Sequence, residues 1–181
     1  MSSIFRIVGF AGCVREESYN KAALHLAQDL VPTGAELEIL SLTDLPSFHF
    51  TTDHSEPGSI FQEKIREADA VIIMTPEYKG MLPKALKNAL DWSRTALAEK
   101  PIAIMGIGRQ TGSEHELQRL RQILTDSHAV VLEQPEVYVT AAQEKFDRTG
   151  SLIDEATLQQ IHLLLQALMT FANEKAAVLV R

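Results

Sequence analysis

The sequence predicts an α/β domain of the doubly wound type, a five-stranded parallel sheet in the order 2-1-3-4-5 with helices on both faces. Three observations carry this. Short apolar runs alternate with longer segments of helical period along the chain, which argues for parallel strands joined by helical crossovers rather than strands and helices kept apart. Five such units follow one another. The two most polar, loop-like segments, 11–20 and 75–83, come directly after the first and third strands. In this order the chain reverses direction across the sheet between those two strands, and ligands bind outside the carboxyl ends of strands at such a point.

Each element has its own signal. Ile4–Phe10 is a β-run, and Tyr19–Leu30 carries Ala22, Ala23, Leu26, Ala27 and Leu30 at helical spacing. Leu37–Leu40 is a short second strand. Ile60–Ala68 reads as a helix preceded by Pro57-Gly58-Ser59, with Ser59 as its N-cap. Ala70–Met74 is strand three. Pro83 falls in the first turn of the next helix, where a missing N–H costs little, and Leu82, Leu86, Ala89 and Leu90 share one face. Pro101–Ile107 makes strand four and Glu114–Thr125 the helix after it. Ala129–Leu132 and Glu136–Val139 are pieces of strand five, divided around Pro135. Gly150-Ser151 is a turn before a long closing helix, Leu158–Lys175. There is no internal repeat and no linker.

The 181 residues fit one domain, 1–181, with enough apolar content for a core without staples. The one cysteine, Cys13, has no partner for an internal bridge, which suits a reducing compartment. No basic stretch leads into a long apolar run at the N-terminus, and no segment approaches the roughly 20 apolar residues of a membrane span. A cytoplasmic protein without membrane contact is therefore expected. A net charge of −7 without a block of like charges speaks against an extended nucleic-acid surface. Small-molecule chemistry is the better expectation.

After strand one, Gly12-Cys13-Val14-Arg15-Glu16-Glu17-Ser18-Tyr19-Asn20 ends where a helix begins. Backbone N–H groups at a helix start, hydroxyl and amide donors and one guanidinium there converge on a dianion. Three or four charge-assisted hydrogen bonds of roughly 1.5–3 kcal/mol each would hold a phosphate without a metal. Cys13 offers only a weak S–H donor. Glu16 and Glu17 bring negative charge, which trims affinity if they point outward and opposes binding if one faces the site. Cys13 as a nucleophile is disfavoured, because the position six residues on, where a phosphatase loop carries its arginine, is Tyr19.

After strand three, Thr75-Pro76-Glu77-Tyr78-Lys79-Gly80 leads to Pro83 and to Leu86-Lys87-Asn88-Ala89, with Asp91 and Trp92 following. This run resembles the flavin-binding turn of the NADPH-dependent FMN reductases, with Lys79 where asparagine is usual. Gly12, Arg15, Ser18 and Asn20 resemble the phosphate loop of the same family, with Cys13 in place of a serine. Leu120-Arg121-Gln122-Ile123-Leu124 resembles a run of the chromate and quinone reductase branch. It aligns Gly112 with a family glycine and puts Arg109 at the preceding one, in a third loop, Gly106–Ser113.

The resemblance implies a flavodoxin-like fold and one bound FMN, held by Gly12, Cys13, Arg15, Ser18, Tyr19, Asn20, Pro76, Glu77, Tyr78, Lys79, Gly80, Gly108, Arg109 and Gly112. It implies NADPH or NADH as reductant, a quinone, free flavin, azo dye or metal oxyanion as acceptor, and a homodimer or homotetramer. No catalytic side chain is expected, since the flavin supplies the reactive atoms. The alternatives are an FMN-binding electron carrier without nicotinamide turnover, or a homologue that has lost FMN. A tight turn such as Glu77–Gly80 can present backbone donors to a flavin. Lys79 could favour the reduced anionic flavin or be solvated. Arg109 could meet the flavin, a nicotinamide phosphate or solvent. Trp92 and Leu86 are read as core or subunit contacts. Asp44–His54, with Phe48 and Phe50, forms an aromatic flap or a partner surface. The six histidines make no recognisable metal set.

Overall fold

Three strands with hardly a polar side chain between them form the middle of the molecule. The computed structural model, which describes residues 4–15, 17–49 and 56–179, assigns them as β1 (Phe5–Ala11), β3 (Ala70–Pro76) and β4 (Pro101–Ile107). All of β4 and all of β3 except Pro76 are buried, as parallel strands covered on both faces require. The edge strand β2 (Ala35–Ile39) is only partly covered. Every pairing between these sheet strands is parallel and the order is β2-β1-β3-β4-β5, with Ile7 opposite Ala70 and Ile72 opposite Ala103. This is the order expected from the sequence. The fifth position is shared by β5 (Val130–Val131), paired with the start of β4, and β6 (Val137–Val139), paired with its end. Pro135 lies between them, where a residue without an N–H leaves the ladder.

Alternate strand residues feed two cores. Ile7, Ala11, Ile72 and Met74 pack with Ala23, Leu24 and Ala27 of α1 (Tyr19–Asp29) and with Ile161, Leu164 and Leu168 of the closing helix. Val8, Phe10, Val71 and Ile73 pack against α2 (Glu56–Glu67), α3 (Lys84–Ser93) and α4 (Glu114–Asp126) through Phe61, Ile65, Leu86, Trp92 and Leu120.

Several boundaries depart from the sequence reading. Helix α2 begins at Glu56, so Pro57, Gly58 and Ser59 lie inside it and Ser59 is not its N-cap. A proline in a first helical turn has no hydrogen bond to lose, and Gly58 lies against the Trp92 ring, where a Cβ would not fit. Pro83 is the N-cap residue of α3 rather than a member of its first turn. A four-residue α5 (Ala142–Lys145) was not anticipated. The closing helix α6 (Glu155–Leu179) starts before Leu158 and ends beyond Lys175. Asp154, just ahead of it, accepts from the Thr157 N–H (2.9 Å) and hydroxyl (2.6 Å), the work of an N-cap. Those bonds, the hydroxyl's first, hold the Asp154 carboxyl below its usual pKa.

Candidate functional site

The site is built where β1, β3 and β4 end together. Gly12 follows β1, donates to the Met74 carbonyl (2.8 Å) and sits against Leu86 and Pro76, so a Cβ there would come within 3.1 Å of Leu86. The loop then turns through Cys13, half-buried, and Arg15, exposed, to Ser18, the N-cap of α1. The Ser18 hydroxyl oxygen accepts from the Lys21 N–H at 3.4 Å, and the Lys21 ammonium donates to the Val14 carbonyl at 3.1 Å, folding the loop onto the helix start. Glu17 is exposed at the rim, and Glu16 lies outside the described residues.

Asn20 needs a revision of the sequence reading, which treated its amide as a donor to an anion. The side chain is buried, its Nδ2 donates to the Ile107 carbonyl at the end of β4 (3.1 Å), and its Oδ1 has no partner among the described residues. One N–H is therefore spent tying α1 to β4. What remains is its second N–H and a buried acceptor that the described residues leave without a donor.

The turn after β3 is reversed at Lys79 and Gly80, whose φ values are 53° and 72°. The Met81 N–H closes it onto the Tyr78 carbonyl (3.0 Å), as a turn with two positive φ angles does. Two of its amides, those of Tyr78 and Gly80, are not free as the sequence reading supposed. Both donate to Oε1 of Glu116, each at 2.7 Å. Glu116 sits in the first turn of α4 and is 1 % exposed. Sequence reasoning missed it, because an acidic residue at a helix start reads as a solvated complement to the helix dipole.

Glu77 points into the loop after β4. Its carboxylate accepts from the Gln110 N–H (2.8 Å), the Thr111 N–H (3.4 Å) and the Thr111 hydroxyl (3.3 Å). The Gln110 bond is the main cause holding its pKa below the ordinary glutamate value. A depressed carboxyl pKa means that these bonds stabilise the loop fully above the unfolded value and are lost as pH falls through the folded one. Protection factors of the Gln110 and Thr111 amides in hydrogen exchange should therefore fall as pH is lowered past the ordinary glutamate range, and protection that stays unchanged until acid unfolds the protein would contradict this role.

In that third loop Gly108, Arg109 and Gln110 face the same space as Cys13, Arg15 and Tyr78. The Arg109 guanidinium lies 5.9 Å from the Tyr19 ring centroid, a cation–π distance, and Tyr19 in turn packs on Phe146 at 4.8 Å. Gly112 is elsewhere. It has φ +64° and its Cβ position meets the Tyr138 backbone and Cβ at 3.1 Å, so it shapes the loop from behind. Gly80 likewise does not line the cleft, and Gly12 lines only a smaller adjoining cavity of about 270 Å³ beside Pro83 and Lys84.

Trp92 and Leu86 are core residues, 1 % and 0 % exposed. Within the same motif, Asn88 and Trp92 both donate to the Pro46 carbonyl, at 2.9 and 2.8 Å, and Asn88 Oδ1 accepts the Phe48 N–H at 2.8 Å. Phe48 therefore packs edge-on against Trp92, with ring centroids 5.3 Å apart. Phe50 and His54, the rest of the expected flap, lie outside the described residues.

Together the three loops border a cleft of about 830 Å³, within the range of small-molecule and cofactor sites. Its walls bring together Cys13, Arg15, Ser18, Tyr19, Asn20, Pro76, Glu77, Tyr78, Lys79, Gly108 and Arg109, and add Glu17, Met81, Ile107 and Gln110, none of which the sequence reading named as a binding residue. Among the described residues no cluster of His, Cys, Asp and Glu could hold a metal ion, and no helix is long and apolar enough to cross a membrane.

Comparison with known proteins agrees with this architecture. Residues 5–144 match the NADPH-dependent FMN reductase family. The chain is 35 % identical to the NAD(P)H-dependent FMN reductase PA1204 of Pseudomonas aeruginosa, covering 96 % of this chain and 98 % of that one. It is 32 % identical to an NAD(P)H:quinone oxidoreductase of Solanum tuberosum, covering 93 % of each. The flavoenzyme FerB of Paracoccus denitrificans, an NAD(P)H:acceptor oxidoreductase, superposes with a TM-score of 0.83 at 25 % identity over 95 % of this chain and 99 % of that one. A flavodoxin from an archaeon shares the fold at a TM-score of 0.64, over 92 % of this chain and 98 % of that one. The chain belongs to the NADPH-dependent FMN reductase family and is an FMN-dependent oxidoreductase of flavodoxin-like fold.

Proposed function

We propose that the cleft holds one FMN, that NADPH or NADH reduces it, and that a quinone or free flavin takes the electrons. The reading is supported chiefly by one observation, the convergence of the β1–α1 loop, with Arg15 and Ser18, and the β3–α3 turn, with Pro76 and Tyr78, on a single cleft of about 830 Å³. The residues fit the cofactor. Arg15, Arg109, the Ser18 hydroxyl and the start of α1 suit the phosphate. The buried Asn20 Oδ1 suits a ribityl hydroxyl, which is a donor as a phosphate dianion is not. Pro76, Tyr78 and Ile107 offer the apolar wall an isoalloxazine needs, and Gly108 leaves room beside Glu77. Gly80 and Gly112 act on the shape of the loops, and Cys13 lies beneath the phosphate end.

FMN, when bound, supplies the redox chemistry, and the protein supplies binding, orientation and exclusion of water. Lys79 and Arg109 place positive charge at the cleft, where reduced flavin and the nicotinamide phosphates are both negative. Val14, Tyr78 and Met81, each about half exposed, edge the two cavities. A second copy of the chain over this rim would dry the site, so the working unit is a homodimer or homotetramer in the cytoplasm. Relatives named as quinone and flavin reductases favour those acceptors over azo compounds and metal oxyanions.

The test is an anaerobic visible spectrum of FMN-loaded protein before and after NADPH or NADH, followed by a quinone, free flavin, an azo dye and chromate in turn. Bleaching by nucleotide and recovery with quinone or flavin are expected. Failure to bind FMN, or no bleaching with either nucleotide, would overturn the reading. Arg15→Ala should weaken FMN binding about 10- to 100-fold, the equivalent of one charge-assisted phosphate contact, with Arg15→Lys falling between. Fluorescence titration of FMN with apoprotein measures both.

A further inference from the structure

We propose that Glu116 is a positioning residue for the cofactor, selecting which backbone amide of the Tyr78–Gly80 turn faces the cleft. The proposal rests on the FMN reading above. Its geometry is a single buried oxygen, Glu116 Oε1, receiving the N–H groups of Tyr78 and Gly80 at 2.7 Å each. Those two amides flank a third. The Lys79 N–H between them donates to no described residue, and Lys79 itself lines the cleft.

Successive N–H groups around positive-φ residues form a concavity that receives an anion. Here the protein fills that concavity with its own side chain. With the amides of residues 78 and 80 drawn towards α4, the amide of residue 79 is left as the turn's open donor. The arrangement also accounts for a lysine at φ 53°. A side chain with a Cβ is disfavoured there by about 1–2 kcal/mol, and such a conformation persists only when its surroundings over-determine it. Two short hydrogen bonds from its neighbours to one fixed acceptor do so.

The clamp is one half of a reciprocal pair. Glu77, on the β3–α3 turn, accepts amides of the β4–α4 loop, while Glu116, at the far end of that loop, accepts amides of the β3–α3 turn. Each loop is thereby held in register with the other, and the cleft wall they share is set before any cofactor enters.

Three variants separate positioning from charge and from folding. Glu116→Gln keeps an acceptor at the same reach, Glu116→Asp keeps the charge but withdraws the oxygen by one methylene, and Glu116→Ala removes both. Thermal unfolding checks the fold of each. Hydrogen exchange of the apoprotein should show loss of protection at Tyr78 and Gly80 in the Asp and Ala variants and not in the Gln variant. FMN titration should show a Kd raised about 30-fold or more by Asp and Ala but within about threefold of the parent for Gln. The visible absorption bands of the residual bound FMN should move only in the Asp and Ala variants. If Ala does not fold, Asp against Gln gives the same comparison. Parent-like Kd and spectrum in Asp or Ala, or a Gln variant as impaired as Ala, would overturn the proposal. Should the parent protein bind no FMN, the functional reading falls, and apoprotein exchange still decides whether Glu116 sets the turn.

Discussion

Gly108→Val is expected to weaken FMN binding by about 100-fold or more while leaving the sheet folded. A Cβ at this position would lie 2.6 Å from Glu77 Oε2, 2.8 Å from Glu77 Cβ and 3.2 Å from the Gly112 nitrogen. Something has to move, and the backbone of residue 108 is the part least able to. Its N–H donates to the Val139 carbonyl at 2.9 Å and its carbonyl accepts from the Ala142 N–H at 3.1 Å, so it is pinned from two directions. Glu77 is the group that yields. Its displacement breaks the bonds to Gln110 and Thr111, each a hydrogen bond to a carboxylate of roughly 1.5–3 kcal/mol. Released, the third loop loses its hold on Arg109 and Gln110, and FMN would have to order it again on binding. A rise in Kd of at least about 100-fold follows if two such bonds are lost. Fluorescence titration reads the Kd, and circular dichroism checks that the fold survives. A Kd within threefold of the parent would show that the contact between Gly108 and Glu77 does not shape the cleft. Gly108→Ala should act in the same direction with a smaller effect, since it lacks the branch that prevents a compromise.

The contrast between what was legible in the sequence and what was not has a physical basis. The sheet order could be read because buried parallel strands leave continuous apolar runs and amphipathic helices leave periodic signals, as in Ala70–Met74 and Glu114–Thr125. The location of the cleft could be read because the polar segments after strands one and three are forced to the same edge by the order. Contacts made by one side chain across loops leave no such signal. Glu116 looks like a dipole complement, and nothing around Glu77 in the sequence announces its partners at residues 110 and 111. Asn20 shows the same limit. Its place in the loop was legible, but not that Ile107 takes its amide and leaves its oxygen unpaired.

The start of α2 failed for a different reason. Pro57-Gly58-Ser59 has the composition of a loop, and local propensity alone favours one there. Tertiary packing decides otherwise, because only a residue without a side chain lets α2 approach α3 this closely. The glycine that looks like a breaker is therefore a contact.

That contact sets the second large effect, on stability rather than on binding. Gly58→Ala should destabilise the protein, although alanine is the better helix former by about 1 kcal/mol. The added Cβ would fall on the Cζ3 and Cη2 atoms of Trp92 and 2.5 Å from Cε3. The indole has no direction in which to retreat. It is 1 % exposed, its Nε1 donates to the Pro46 carbonyl at 2.8 Å, Phe48 stands edge-on to it, and its backbone carbonyl accepts from Gln62 of α2 at 2.7 Å. Overpacking against a fixed ring costs about 1–3 kcal/mol or somewhat more, so the clash outweighs the helix propensity. A net loss of about 2 kcal/mol would lower Tm by about 6 °C for a chain of this size. Thermal and denaturant unfolding measure it. The cause can be isolated with Trp92→Phe, which removes the ring atoms the Cβ strikes. The double variant should be less destabilised than the sum of the two single ones, as contacting residues are. Additive losses would mean that the alanine is felt somewhere other than at the tryptophan.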